Sequence, residues 1–95
     1  MDVNSFKSSL TREAPPPEYN QILRALWYDG KGDWEIAHEI AQEISGSSGS
    51  HIHAYLHRKE GDDWNAGYWY RQAGQPVPKI SLNEEWENLV EHYLG

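Results

Sequence analysis

Hydrophobic residues recur along this chain every three or four positions, in five segments separated by breaks rich in polar residues, glycine or proline. This spacing places apolar side chains on one face of a helix. The pattern predicts helices over residues 18–29, 34–45, 51–60, 63–72 and 81–94. We therefore expect an all-α domain.

Two of the breaks carry the same pair of residues, Gly32-Asp33 and Gly61-Asp62. Glycine just past a helix end adopts a positive φ at little cost. Aspartate at an N-cap accepts hydrogen bonds from the first free N–H groups of the next helix. The last helix opens with a capping box, Ser81-Leu82-Asn83-Glu84. Each break therefore predicts a helix end followed closely by a helix start.

The two breaks belong to a weak internal repeat with an offset of 29 residues and no gap, between 25–44 and 54–73. The identical pairs are Ala25 and Ala54, Gly32 and Gly61, Asp33 and Asp62, and Ala37 and Ala66. We interpret the copies as two stacked αα-hairpins, because a hairpin buries only one stripe and needs a neighbour. The predicted hairpins are 18–45 and 51–74, joined by a flexible linker at 46–50, with 81–94 as a capping helix.

The second copy resembles a tetratricopeptide repeat. The resemblance rests on the spacing of Gly61, Ala66, Tyr70, Ala73 and Pro78. The period departs from the family's, which is about 34 residues. The resemblance implies tetratricopeptide-like hairpins whose inner surface comes mainly from the first helix of each pair. The strings HAYLHRKEGD and AGYWYR also resemble a group of small bacterial proteins of unknown function, and that likeness implies no activity.

Residues 1–17 precede the repeat as an N-terminal tail or short helix. Val3–Leu10 has the spacing for two helical turns, whereas Pro15-Pro16-Pro17 forces an extended segment. Residues 18–95 form the single helical domain that a chain of 95 residues can support.

Composition and charge narrow the function classes. There is no cysteine, so thiol chemistry and disulfides are excluded. The net charge of -7 argues against nucleic acid as a partner, because binding its backbone needs a basic face. No apolar run approaches the roughly 20 residues of a membrane span, and no secretory leader opens the chain. We expect an acidic cytoplasmic protein without a membrane partner.

The first candidate site is an aromatic and cationic groove. Arginine pairs can hold a carboxylate through two hydrogen bonds each, and aromatic rings can form the walls. Together with the positions that the tetratricopeptide resemblance implies, the groove candidates are His51, Tyr55, Arg58, Tyr19, Leu26, Asp29 and Arg71. Such a groove predicts capture of a peptide or of a partner's acidic group. The alternative is that these aromatics are core residues and that the arginines pair with nearby aspartates.

The second candidate site is a metal centre. His53, His57 and Glu60 fall at i, i+4 and i+7, on one helix face. Two imidazoles and a carboxylate can bind zinc or another divalent metal, and His51 and His38 are further donors. The alternative is that the histidines lie between helices and hydrogen-bond their neighbours.

These observations favour a small helical-repeat binding or adaptor module with a protein or peptide partner and no obligatory cofactor. Two alternatives stay open. One is a metal-binding protein or metal-dependent enzyme that uses His53, His57 and Glu60, although no nucleophile motif is present. The other is a structural subunit that forms a homodimer, because two repeats are fewer than such arrays usually need.

Overall fold

The described part of the chain, residues 2–94 of a computed structural model, folds into six helices. They are α1 (Val3–Ser9), α2 (Gln21–Gly30), α3 (Trp34–Glu43), α4 (Gly46–Lys59), α5 (Asp63–Ala73) and α6 (Leu82–Leu94). No strand occurs between residues 2 and 94, so the all-α prediction is confirmed. Within the same residues, no helix is both long and apolar enough to cross a membrane.

The two Gly-Asp breaks adopt the same backbone turn. Gly32 and Gly61 both have a φ of 88°, and each follows the end of a helix. Asp33 and Asp62 then cap α3 and α5, with side chains that accept hydrogen bonds from the N–H groups of the third residue along. The local prediction at both breaks is confirmed, because a cap depends only on residues a few positions apart.

Helix α4 is the central element. It contacts α2, α3, α5 and α6, and helices adjacent in sequence from α2 to α5 pack against one another. Helix α6 lies against α1, α2 and α4. The stacking of two tetratricopeptide-like hairpins stays a prediction.

The core is built around aromatic rings whose polar atoms find partners. The Trp27 indole is 1% exposed, and its N–H donates to the Ser9 hydroxyl at 3.1 Å. The Trp86 indole N–H donates to the Leu26 carbonyl at 3.0 Å. Large rings can therefore be buried without leaving an unpaired donor. Among residues 2–94, no buried side-chain nitrogen or oxygen lacks a hydrogen-bond partner.

Near the N-terminus, Val3–Ser9 forms a packed helix. Of the two alternatives for residues 1–17, the structure therefore has the short helix. Phe6 on α1 is fully buried, stacks on Tyr19 at a centroid distance of 5.1 Å, and meets the edge of Trp86 at 5.6 Å. Helix α1 consequently covers the side of the core where α6 lies.

The prediction of a flexible linker at 46–50 is wrong, because these residues are the first turns of α4. Glycine and serine have low helix propensity, but tertiary contacts override it here. Gly49 is buried, and a Cβ atom at this position would lie 2.1 Å from the carbonyl oxygen of Ile44. The small residues therefore allow the start of α4 to lie against the end of α3.

We expect Gly49→Ala to destabilise the protein by about 1–3 kcal/mol, because the methyl group collides with backbone that cannot move aside. The matched control is Gly67→Ala in α5, where the new Cβ would meet only the Arg71 guanidinium at 3.6 Å. That change should stabilise the protein by about 0.5–1 kcal/mol. Urea unfolding followed by circular dichroism measures both, and equal effects would contradict the close approach at Gly49.

Candidate metal centre

Three histidines from two helices meet on one side of the molecule. His38 lies on α3, while His53 and His57 lie one turn apart on α4. One ring nitrogen from each comes within 4.8 Å of the others. The Nε2 atoms of His38 and His53 are 2.9 Å apart. Three imidazole donors thus converge on one point between α3 and α4.

Two tryptophans hold these rings in place. The Trp69 ring stacks on His53 at a centroid distance of 4.2 Å, and the Trp34 ring stacks on His38 at 4.8 Å. Trp34 is itself fixed, because its indole N–H donates to the Leu56 carbonyl at 2.8 Å. His53 is only 8% exposed. The histidine cluster therefore packs against the faces of two tryptophan rings.

Glu60 supports the cluster from outside it. Its carboxylate lies 2.9 Å from Nδ1 of His57, which leaves Nε2 of that ring as the nitrogen for coordination. Metal-bound histidines commonly donate their other N–H to a carboxylate in this way, which fixes the ring and raises its basicity. The sequence grouped Glu60 with His53 and His57 as a ligand, whereas the structure brings His38 beside the two rings instead.

The sequence named His38 only as a further donor. Nothing local connects it to His53, 15 residues away, because their contact depends on how α3 packs against α4. The other further donor, His51, is not in the cluster. Its Nδ1 atom lies 3.4 Å from the Tyr93 hydroxyl.

Two of the three rings, those of His38 and His53, are kept uncharged by their surroundings. Burial, with the neighbouring His38 and His57, lowers the pKa of His53 to about 4. Burial and the neighbouring His57 also lower the pKa of His38. Both rings are therefore neutral at pH 7, which is the form that binds metals. In the metal-free protein, one of the two Nε2 atoms carries a proton and donates it to the other.

The groove candidates are dispersed through the fold. Four of them are buried. The exposed fraction is 6% for Tyr19, 0% for Leu26, 2% for Asp29 and 2% for Tyr55. The Tyr55 hydroxyl donates to Asp29 at 2.8 Å, and burial together with this contact raises the pKa of Tyr55. These four side chains therefore lie mostly between helices rather than on an exposed surface. The peptide groove stays a prediction.

Arg58 and Arg71 have separate environments. The Arg58 guanidinium donates to Glu85 on α6 at 2.7 Å and to the Ile80 carbonyl, while Arg71 is exposed on α5. Tyr70 donates to the same Glu85 carboxylate at 2.6 Å. No sequence motif identifies this network, although the position of Glu85 within the apolar stripe of α6 is a signal for it.

A second group of donors adjoins the three histidines, since His57, Glu60 and Asp62 also place one ligand atom each within 4.8 Å of one another. It is more exposed and offers two carboxylates for one imidazole. The candidate centre therefore offers imidazole nitrogens as donors, with the carboxylates of Glu60 and Asp62 close to His57.

Comparison of the chain with protein-family models, with curated proteins and with solved structures finds no match.

Proposed function

We propose that the protein binds a divalent transition-metal ion, with zinc as the best fit, through His38, His53 and His57. The observation that carries this proposal is the convergence of three imidazole nitrogens from two helices within 4.8 Å. The His38 and His53 rings are neutral at pH 7 because of their lowered pKa values, so neither has to release a proton before it binds a metal ion.

The spacing of the nitrogens supports tetrahedral coordination. Two nitrogens bound to zinc at about 2.0–2.1 Å in a tetrahedron lie about 3.3 Å apart. The Nε2 atoms of His38 and His53 are 2.9 Å apart, so a small rotation of either ring would admit the ion. Coordination would also replace the single N–H···N hydrogen bond of the metal-free pair.

The donor set restricts the metal. Imidazole nitrogens suit zinc, copper, nickel and cobalt, whereas magnesium and calcium prefer oxygen donors. Three protein ligands leave a fourth position for water or another small ligand, as in zinc sites of the open type. Glu60 would hold the His57 ring in its coordinating orientation.

The test is calorimetric titration of the metal-free, untagged protein with Zn²⁺ at pH 7.5, with Co²⁺ spectroscopy as a report on geometry. We expect one ion per chain and an intense visible Co²⁺ spectrum typical of tetrahedral coordination. His38→Ala should abolish this binding, and Glu60→Gln should weaken it by about 10–100-fold. His92→Ala is the matched control, because His92 is exposed on α6 and outside the cluster.

Two results would contradict the assignment. A protein that binds no zinc at neutral pH while folded would exclude the centre. Binding that persists in His38→Ala but disappears in Asp62→Ala would transfer the metal to the neighbouring His57, Glu60 and Asp62 group.

The binding or adaptor function and self-association both stay predictions. An exposed apolar patch on the first or last predicted helix would favour self-association. Among residues 2–94, the exposed large hydrophobic side chains are Ile36, Trp64, Tyr68 and Val77. None of them lies on α2 or α6, so the metal centre has the stronger geometric support.

A further inference from the structure

A cavity of about 430 Å³ lies where α1, α2, α4 and α6 meet. Its volume falls within the range of small-molecule sites. It shares no lining residue with the histidine cluster. Its walls include the indole of Trp86 and the side chain of Leu10, so part of it is apolar.

A buried carboxylate lines this cavity. Asp29 is 2% exposed, and its Oδ2 accepts a hydrogen bond from the Tyr55 hydroxyl at 2.8 Å. Its Oδ1 accepts one from Lys59 Nζ, also at 2.8 Å. Removing a carboxylate from water is costly, and such a pair seldom adds net stability compared with apolar residues. A function that needs the carboxylate would explain its retention beside a cavity.

The two partners of Asp29 differ in freedom. Tyr55 is fixed in the core, whereas the Lys59 side chain is 37% exposed and long enough to swing toward solvent. A second ion pair, between Lys7 on α1 and Glu87 on α6, also lines the cavity and is more exposed, at 44% and 43%. The charged lining is therefore two lysines and two carboxylates, with no net charge.

We propose that this cavity binds a small zwitterion carrying one ammonium and one carboxylate group, as an apolar α-amino acid does. The ammonium takes the place of Lys59 Nζ on Asp29, while Tyr55 keeps that carboxylate oriented. The displaced Lys59 pairs with the carboxylate of the ligand, so every charge keeps a partner. The apolar side chain of the ligand lies against Trp86 and Leu10.

Charge pairing favours a zwitterion over ligands that carry only one of the two charges. A cation without a carboxylate would displace Lys59 and leave it unpaired. An anion without an ammonium could not replace Lys59 on Asp29, because two carboxylates would then face each other. A zwitterion exchanges one ion pair for two.

The test uses L-leucine as the probe, titrated to about 20 mM, well above the Kd of a weak small-molecule site. L-leucinamide lacks the carboxylate and 4-methylpentanoate lacks the ammonium, so they are matched controls. Each should bind about tenfold or more weakly than leucine, because each loses a charge-assisted hydrogen bond. The ¹H–¹⁵N indole resonance of Trp86 should shift on binding, whereas that of Trp64, 78% exposed on α5, should not.

Variants assign the site. Asp29→Asn keeps the shape of the side chain and should abolish binding. If that protein does not fold, Lys59→Met decides: because the carboxylate of the ligand loses its partner, leucine should bind no more tightly than leucinamide. Lys79→Met is the control, because Lys79 is exposed and does not line the cavity, and its affinity should be unchanged.

Three outcomes would overturn the proposal. One is the absence of a saturable Trp86 shift with leucine. Another is binding of leucinamide or 4-methylpentanoate as tight as that of leucine. The third is a preference for leucine over leucinamide that is unchanged in Lys59→Met.

Discussion

Glu85→Ala is expected to destabilise the protein by about 3–5 kcal/mol, because it leaves the largely buried Arg58 guanidinium without its carboxylate and the buried Tyr70 hydroxyl without its acceptor. The Glu85 side chain is 5% exposed and accepts hydrogen bonds from Arg58 and from the Tyr70 hydroxyl. One residue thus connects α6 to α4 and to α5. A loss of this size is a large part of the stability of a small domain, so denaturant unfolding should show a partly unfolded population at 37 °C.

Two variants test the cause of that loss. Glu85→Gln keeps an oxygen that can accept from Tyr70 but loses the charge, so its effect should be intermediate. Glu87→Ala breaks the exposed pair with Lys7 on the same helix and should cost about 0–1 kcal/mol. Similar losses in Glu85→Ala and Glu87→Ala would show that burial of the Arg58 pair contributes nothing.

Zinc should raise the free energy of unfolding by about 4 kcal/mol when it is present at about 1,000 times its Kd. The reason is that the three histidines converge only in the folded protein, where α3 and α4 are in contact. For a domain of this size, that corresponds to a rise in Tm of roughly 15–30 °C. Differential scanning calorimetry of the metal-free protein with and without Zn²⁺ measures it, and a chelator should reverse it.

Two variants and a second metal ion serve as controls for the zinc-induced rise in Tm. His38→Ala should melt like the metal-free protein whether zinc is present or not, while His92→Ala should retain the full shift. Magnesium should give no shift, because the donors are nitrogen atoms. A zinc-induced shift of the same size in His38→Ala would contradict a centre shared between α3 and α4.

Much of the fold followed from local chemistry. The repeated Gly-Asp pair identified two turns of the same geometry, and the capping box at Ser81 placed the start of α6. These features involve residues three or four positions apart, whose interactions are the same in any helical protein. The spacing of His53 and His57 likewise put two metal donors on one face of α4.

The linker prediction was wrong and the groove candidates are dispersed for a common reason. Residues 46–50 have the composition of a flexible segment, yet they are helical, and the absence of a side chain at Gly49 allows the close approach to Ile44. Tyr55 and Asp29 looked suited to an open surface, yet they pair in the interior. In each case the packing between helices decided the outcome, and composition carries no information about it.

The sequence by itself determined the all-α class, most helix ends with their caps and turns, the absence of cysteine chemistry and two of the three histidines in the cluster. These depend on residue type and on neighbours within a turn or two. Only the tertiary structure decided that His38 joins His53, that Glu60 stands behind His57, and that α4 is the central helix. Such contacts join residues far apart in the chain, and their free energy comes from burying surfaces that become complementary only after the helices have packed together.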